Sequence, residues 1–125
     1  MLSFTTSPGR MFIVAGVTDM RKSFNGLAGV VRNRVKSDPM SRDLFFFCNR
    51  AKNRLKILVS DESGMWVYAK RLDRGTFSWP TSAGGAAKVE YRPEQIALLL
   101  QGVDADNLHR RRWRRRAGQE EKNDT

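Results

Sequence analysis

Apolar residues fall in short clusters separated by polar turns, and the spacing within each cluster predicts a mixed α/β protein. Met11-Phe12-Ile13-Val14-Ala15 reads as a short buried strand closed by Gly16. Thr18, Asp19 or Ser23 offers a side-chain oxygen to the free N–H groups of a helix start. That helix runs to about Lys36, with Phe24, Leu27, Val31 and Val35 on one face. Gly26 and Gly29 weaken it, and Asp38-Pro39 stops it.

Three strands are then expected. Leu44 to Cys48 is apolar throughout, as suits a central strand buried on both faces. Asn49-Arg50-Ala51-Lys52-Asn53 is a polar turn. From Arg54 to Ser60 the pattern alternates, with Leu55, Ile57 and Val59 on one side and Arg54 and Lys56 on the other. Asp61-Glu62-Ser63-Gly64 is a tight turn, and Met65 to Leu72 is the third strand. Such short connections predict an antiparallel meander. After a flexible Ser/Gly/Ala stretch from Thr81 to Ala87, Lys88 to Arg92 forms a further strand. Pro93-Glu94 opens a second helix, whose apolar face is Ile96, Leu99 and Leu100 and whose end is Gly102.

The expected fold is therefore α/β of the α+β kind: a mainly antiparallel sheet of four to five strands with two helices. Residues 1–10 form a flexible lead-in, residues 11–105 a single domain, and residues 106–125 a basic, disordered tail. A chain of 125 residues can bury about two-thirds of its unfolded surface, enough for a core without disulfides. The single cysteine, Cys48, cannot form an internal bridge and reads as a small buried apolar residue. The N-terminus lacks the pattern of a secretory signal, and no run reaches the roughly 20 apolar residues of a membrane span. A cytoplasmic protein with no membrane partner is expected.

Charge changes the picture most. Lys and Arg number 23 against 13 Asp and Glu, a net charge of +10, and the isoelectric point lies near 10.6. Clustered arginine at this basicity is the electrostatic footprint of a nucleic-acid binder. Arg110, Arg111, Arg112, Arg114, Arg115 and Arg116 surround Trp113, which adds a stacking face to a run of phosphate-neutralising charge. Arg50, Lys52, Arg54 and Lys56 alternate, which puts them on one side of an extended segment. Lys70, Arg71 and Arg74 join them if the meander forms. Arg21 and Lys22 precede the first helix, within reach of phosphate. A solvated outer sheet face accounts for the strand cations equally well. Trp66, Tyr68, Phe77 and Trp79 offer either a base-stacking platform or ordinary packing.

Catalysis finds little support. A two-metal nuclease needs carboxylates that hold ions about 3.5–4 Å apart. Asp19, Asp43, Asp61, Glu62, Asp73 and Glu90 are the candidates, but Asp61-Glu62 has a turn to explain it. Glu90-Tyr91-Arg92 is a three-residue pattern that arises easily by chance. No cysteine and histidine set has zinc spacing, and the only histidine, His109, lies in the arginine tail. The expectation is no catalytic residue, no metal, no cofactor and no small-molecule ligand.

Several stretches together carry a family resemblance. They are Gly16-Val17-Thr18-Asp19-Met20-Arg21-Lys22-Ser23-Phe24-Asn25-Gly26-Leu27, Leu44-Phe45-Phe46-Phe47, Arg54-Leu55-Lys56-Ile57-Leu58 and Leu98-Leu99-Leu100-Gln101-Gly102-Val103-Asp104. The most specific is Lys70-Arg71-Leu72-Asp73-Arg74-Gly75-Thr76-Phe77-Ser78-Trp79-Pro80. Over roughly residues 10–105 the chain resembles the TnpB accessory proteins of the insertion-sequence family numbered sixty-six, products of the element's second reading frame. It departs from the family pattern at Ser23, where Gly is usual, at Asn25, where Asp is usual, and in its longer arginine-rich end. The resemblance implies a factor that acts with a separate transposase, and it carries over no catalytic residue. DNA, in particular the ends of the insertion sequence, and the transposase with other accessory proteins are the expected partners. Two alternatives stand beside DNA binding: a protein-binding adaptor for the transposase, and a small metal-dependent nuclease built on Glu90 and the turn carboxylates.

Overall fold

In the computed structural model, which describes residues 9–81 and 84–104, one five-stranded sheet organises the chain. Its strands are β1 (Met11–Val14), β2 (Leu44–Cys48), β3 (Arg54–Ser60), β4 (Met65–Arg71) and β5 (Lys88–Tyr91), in the spatial order β4-β3-β2-β1-β5. The uniformly apolar β2 takes the central position, with all five residues buried. As expected, β2, β3 and β4 form an antiparallel meander. β1 and β2 are parallel, because the chain between them crosses one face of the sheet as helix α1 (Phe24–Asn33). β5 pairs antiparallel with β1. The result is an α+β fold with a mainly antiparallel sheet and two helices.

Alternation within each strand divides the core in two. On one face, Phe12, Val14, Phe45, Phe47 and Leu58 meet Leu27, Ala28 and Val31 of α1. On the other, Ile13, Phe46, Ile57 and their neighbours meet Ile96 and Leu99 of helix α2 (Pro93–Gln101), together with Phe77 and Trp79.

Several boundaries differ from expectation. α1 ends at Asn33, before Lys36. There Arg34 turns its guanidinium onto the carbonyl oxygens of Ala15 and Val17, and Lys36 takes a positive φ of 57° that leaves the helix. Val35 is still buried, but Phe24, the first residue of the helix, is 44% exposed. Ser23 occupies the N-cap without a side-chain cap bond. β1 ends at Val14 and β4 at Arg71, one residue early in each case. Leu72 nonetheless donates its N–H to the Asn53 carbonyl at 2.8 Å. At the other end, Gly9 bonds the Arg42 carbonyl at 3.2 Å, and the Arg10 N–H bonds Asp43 at 2.9 Å.

The segment after β4 is a strap across the α2 face. Thr76 exchanges two backbone bonds with Val103, at 2.9 and 2.7 Å, and the Phe77 N–H reaches the Lys52 carbonyl at 2.7 Å. The Trp79 indole N–H donates to the Val14 carbonyl at 2.9 Å. The Pro80 carbonyl then accepts from Gly16 at 3.1 Å. Phe77 and Trp79 are buried, so they belong to the core and not to a stacking platform. Among the described residues, no helix is long and apolar enough to cross a membrane.

Candidate nucleic-acid interface

The basic residues gather at one end of the sheet, where β1 and β2 finish, β3 starts and β4 finishes. The Thr18 N–H bonds the Cys48 carbonyl at 2.8 Å, which brings the loop before α1 to the end of β2. The Lys56 ammonium donates to the Lys22 carbonyl at 2.8 Å and so ties that loop to β3. The β2–β3 turn is closed by Asn49, whose side-chain oxygen accepts from the N–H groups of Asn53 and Arg54 at 3.0 and 3.1 Å.

Register then decides which cations share a face. Arg54 stands directly opposite Arg71, and Lys56 opposite Ala69. Arg54, Lys56 and Arg71 therefore occupy the α1 side of the β3–β4 pair. Lys70 is opposite Leu55 and projects to the α2 side, where its ammonium donates to the Leu100 carbonyl at 2.6 Å. The two basic groups thus share one end of the sheet but not one face, because neighbouring positions on a strand point in opposite directions. Arg50 and Lys52 are not in line with Arg54 and Lys56 either. They lie in the turn, where the chain is not extended, and Lys52 adopts a φ of 59°. Arg50 and Arg74 are exposed in their turns at this end. A cleft of about 390 Å³ runs across it, lined by Met20, Arg54, Leu55, Lys56, Ala69, Lys70 and Arg71.

Among the described residues, carboxylates pair with only some of the surface cations. Arg10, Arg21, Arg42 and Arg92 each pair with a carboxylate. Arg21 is clamped by Asp19 at 2.7 Å. The Arg21 guanidinium, aided by the Arg21 backbone N–H, holds the Asp19 carboxyl at about 2, well below its usual value. Among the described residues, Arg54, Lys56, Lys70 and Arg71 have no carboxylate partner. Two like charges directly opposite in a sheet cost a few tenths to about 1 kcal/mol, and an anion seated between Arg54 and Arg71 removes that repulsion. α1 also begins at this end. Its first N–H groups lack a side-chain cap and add positive potential.

Other candidates are placed differently. Trp66 is 51% exposed and stacks on Tyr68 with ring centroids 6.1 Å apart. Both lie on the α2 side of β4, in line with Lys70. The carboxylates do not converge. Glu90 is on β5 and Asp61-Glu62 follows β3 beside β4, so they flank opposite edges of the sheet, about 14–19 Å apart by strand spacing. Glu90 pairs with Arg10 and Glu62 with Arg42. Asp61 accepts from Trp66, Ser63 and Gly64, and these bonds hold its pKa down. Among the described residues, no three of His, Cys, Asp or Glu come together to hold a metal. The tail cations Arg110, Arg111, Arg112, Arg114, Arg115 and Arg116, with Trp113 and His109, lie outside the described residues.

Reading the strands by parity locates Arg54 and Lys56 correctly but misses the Arg54–Arg71 pairing, which depends on the register of the hairpin. It also misses Met20, which lines the cleft only because a long-range bond folds its loop back onto β3.

The chain belongs to the family described as IS66 Orf2 like protein, which it matches over residues 9–110. It is similar to two proteins of Sinorhizobium fredii (strain NBRC 101917 / NGR234). One is the uncharacterized protein y4hO, 42% identical over 95 residues, covering 76% of this chain and 81% of that one. The other is the uncharacterized protein y4jC, 31% identical over 102 residues, covering 82% and 86%. No solved structure matches significantly. Family membership associates the chain with transposition of this class of insertion sequence, in an accessory role.

Proposed function

We propose that the protein is a non-catalytic DNA-binding accessory factor, which holds the ends of the insertion sequence, alone or with the transposase, through their phosphates. The observation that carries this reading is the facing pair Arg54 and Arg71 with Lys56 beside it. Three cations share one face without a neutralising carboxylate, at the end of the sheet that also presents Lys22, Arg50, Lys52 and Arg74. The tail from Arg110 to Arg116 extends the same chemistry in sequence, and Trp113 supplies a ring among the charges.

Binding of this kind releases counterions, so log affinity falls with log salt by about 0.9 for each duplex phosphate neutralised. A salt-series titration with duplex DNA tests the reading. The triple variant Arg54→Ala, Lys56→Ala, Arg71→Ala is expected to flatten the slope by about 2.7. Truncation after Leu108 is expected to flatten it by up to about 5 if all six tail arginines engage. Affinity that ignores salt, or a triple variant with the wild-type slope, refutes phosphate binding at this face. The adaptor alternative draws on Leu98, which α2 leaves 69% exposed. Capture of the transposase from nuclease-treated lysate, lost in Leu98→Asp, favours it.

A further inference from the structure

The outer strand β4 carries a second feature, on the face opposite Arg54, Lys56 and Arg71. Trp66 and Tyr68 are two residues apart, so both project to the α2 side, and their rings lie nearly parallel, 14° apart. A large aromatic ring is costly to leave in water, yet Trp66 is 51% exposed at an edge that, among the described residues, no other strand covers. Its orientation is fixed. The indole N–H donates to the Asp61 carboxylate at 2.7 Å, and that carboxylate is itself held by the N–H groups of Ser63 and Gly64, both at 2.9 Å. The polar edge of the indole is satisfied, one face lies toward Tyr68, and about half of the residue stays exposed for contact. Two residues beyond Tyr68 on the same face stands Lys70. The Leu100 carbonyl takes one of its ammonium protons and leaves two for a ligand. Trp66 and Lys70 are about 13 Å apart along the strand.

We infer that Trp66 and Tyr68 form a stacking platform for unpaired nucleobases of single-stranded DNA, with Lys70 taking the phosphate backbone as the strand runs toward the basic end of the sheet. The inference rests on the DNA-binding reading above and narrows it to one substrate class. Duplex DNA hides its base faces, whereas an unpaired base offers a π-face to any exposed aromatic ring. A hydrophobic protein contact would use the same ring, but here the next side chain beyond Tyr68 on that face is Lys70, which favours a polyanion.

The test compares three probes on the full chain at one salt concentration: a single-stranded oligonucleotide, the same strand with abasic sites at every position, and the duplex. All three carry phosphate, and only the first offers free bases. The wild type is expected to bind the base-bearing strand about 5- to 150-fold more tightly than the abasic one, the range for one stacked base. Trp66→Ala is expected to erase that ratio and leave duplex affinity unchanged, while Trp66→Phe retains most of it. Quenching of tryptophan fluorescence by the base-bearing strand should fall in Trp66→Phe, although Trp79 and Trp113 remain. Equal wild-type affinity for the base-bearing and abasic strands overturns the platform, whatever the variants do. If duplex binding then persists with its salt slope, phosphate binding stands without it. If none of the three probes binds, both readings fall.

Discussion

Replacing Trp79 with phenylalanine isolates one buried hydrogen bond in the strap. Trp79 is 7% exposed, and its indole N–H is bonded to the Val14 carbonyl at 2.9 Å across 65 residues of chain. Phenylalanine keeps a ring in the core but removes the donor. A buried acceptor left without its partner costs about 1–3 kcal/mol. The smaller ring also gives up on the order of one or two methylene equivalents of burial, about 0.8 kcal/mol each. The expected loss is about 2–4 kcal/mol, which for a domain of this size lowers Tm by about 8–16 °C. Trp66→Phe is the internal control. It removes an indole N–H bond of similar length, 2.7 Å to Asp61, but at a half-exposed position where water replaces the donor, so it should cost no more than about 0.5 kcal/mol. Thermal melts followed by circular dichroism at equal concentration make the comparison. If Trp79→Phe melts within 2 °C or so of wild type, the strap does not depend on this bond. If the two variants lose equal stability, burial is not what makes the bond matter.

Four further outcomes are expected. Gly75→Ala should lose at least about 2 kcal/mol, because φ is +80° and a Cβ would stand 2.3 Å from the Val103 carbonyl oxygen that pairs with Thr76. Gly29→Ala, inside α1 with nothing within 4 Å of the new methyl group, should instead gain about 0.5–1 kcal/mol; denaturant midpoints read both. Asp19 has its folded pKa lowered from 3.8 to about 2, so its contribution is complete above pH 4 and is lost as pH falls toward 2. Asp19→Asn should show a shallower loss of stability over that interval, and a carboxyl titration by NMR reads the midpoint directly. Burial pushes the Cys48 thiol up to about 11, which leaves almost no thiolate near pH 8. Iodoacetamide should therefore label it only as fast as the native state opens, with rates that climb as denaturant is added; rapid labelling of the folded protein would contradict a buried Cys48.

Local period was enough to locate the seven elements of the described residues, because strand alternation and helical spacing are properties of neighbouring residues. Leu44 to Cys48 announced a central strand by having no polar face at all. The parallel pairing of β1 with β2 was not legible, since it follows from α1 crossing the sheet, and a helix can lie on either side of what it connects. The roles of Phe77 and Trp79 were ambiguous for the same reason. Their aromatic character suits a platform as well as a core, and only the long-range bonds to Lys52 and Val14 decide it. The basic site was half legible. Parity within β3 put Arg54 and Lys56 together, but parity also sends Lys70 and Arg71 to opposite faces, so they cannot act as one patch. The facing of Arg54 and Arg71 needed the hairpin register, which the turn sets and composition does not reveal.

The stretch from Lys70 to Pro80, the most specific of those carrying the family resemblance, performs two kinds of work that substitution can separate. Leu72, Gly75, Phe77 and Trp79 fasten the strap: Leu72 lies against Gly102, Gly75 against Val103, and the two aromatics fill the α2-side core. Lys70, Arg71 and Arg74 stay exposed around the same segment, and Lys70 reaches the Leu100 carbonyl with its ammonium alone. A resemblance strongest here therefore reports the fold directly and the charge only by proximity, since the anchors must keep their shape whereas a cation needs only its sign. It follows that Arg71→Ala and Arg74→Ala should change the salt slope of DNA binding and leave Tm nearly fixed. Trp79→Phe should lower Tm and leave the slope unaltered wherever the protein remains folded. Were the anchor variant to flatten the slope at such a temperature, the strap itself would be part of the DNA contact, and the division between packing and charge would not hold.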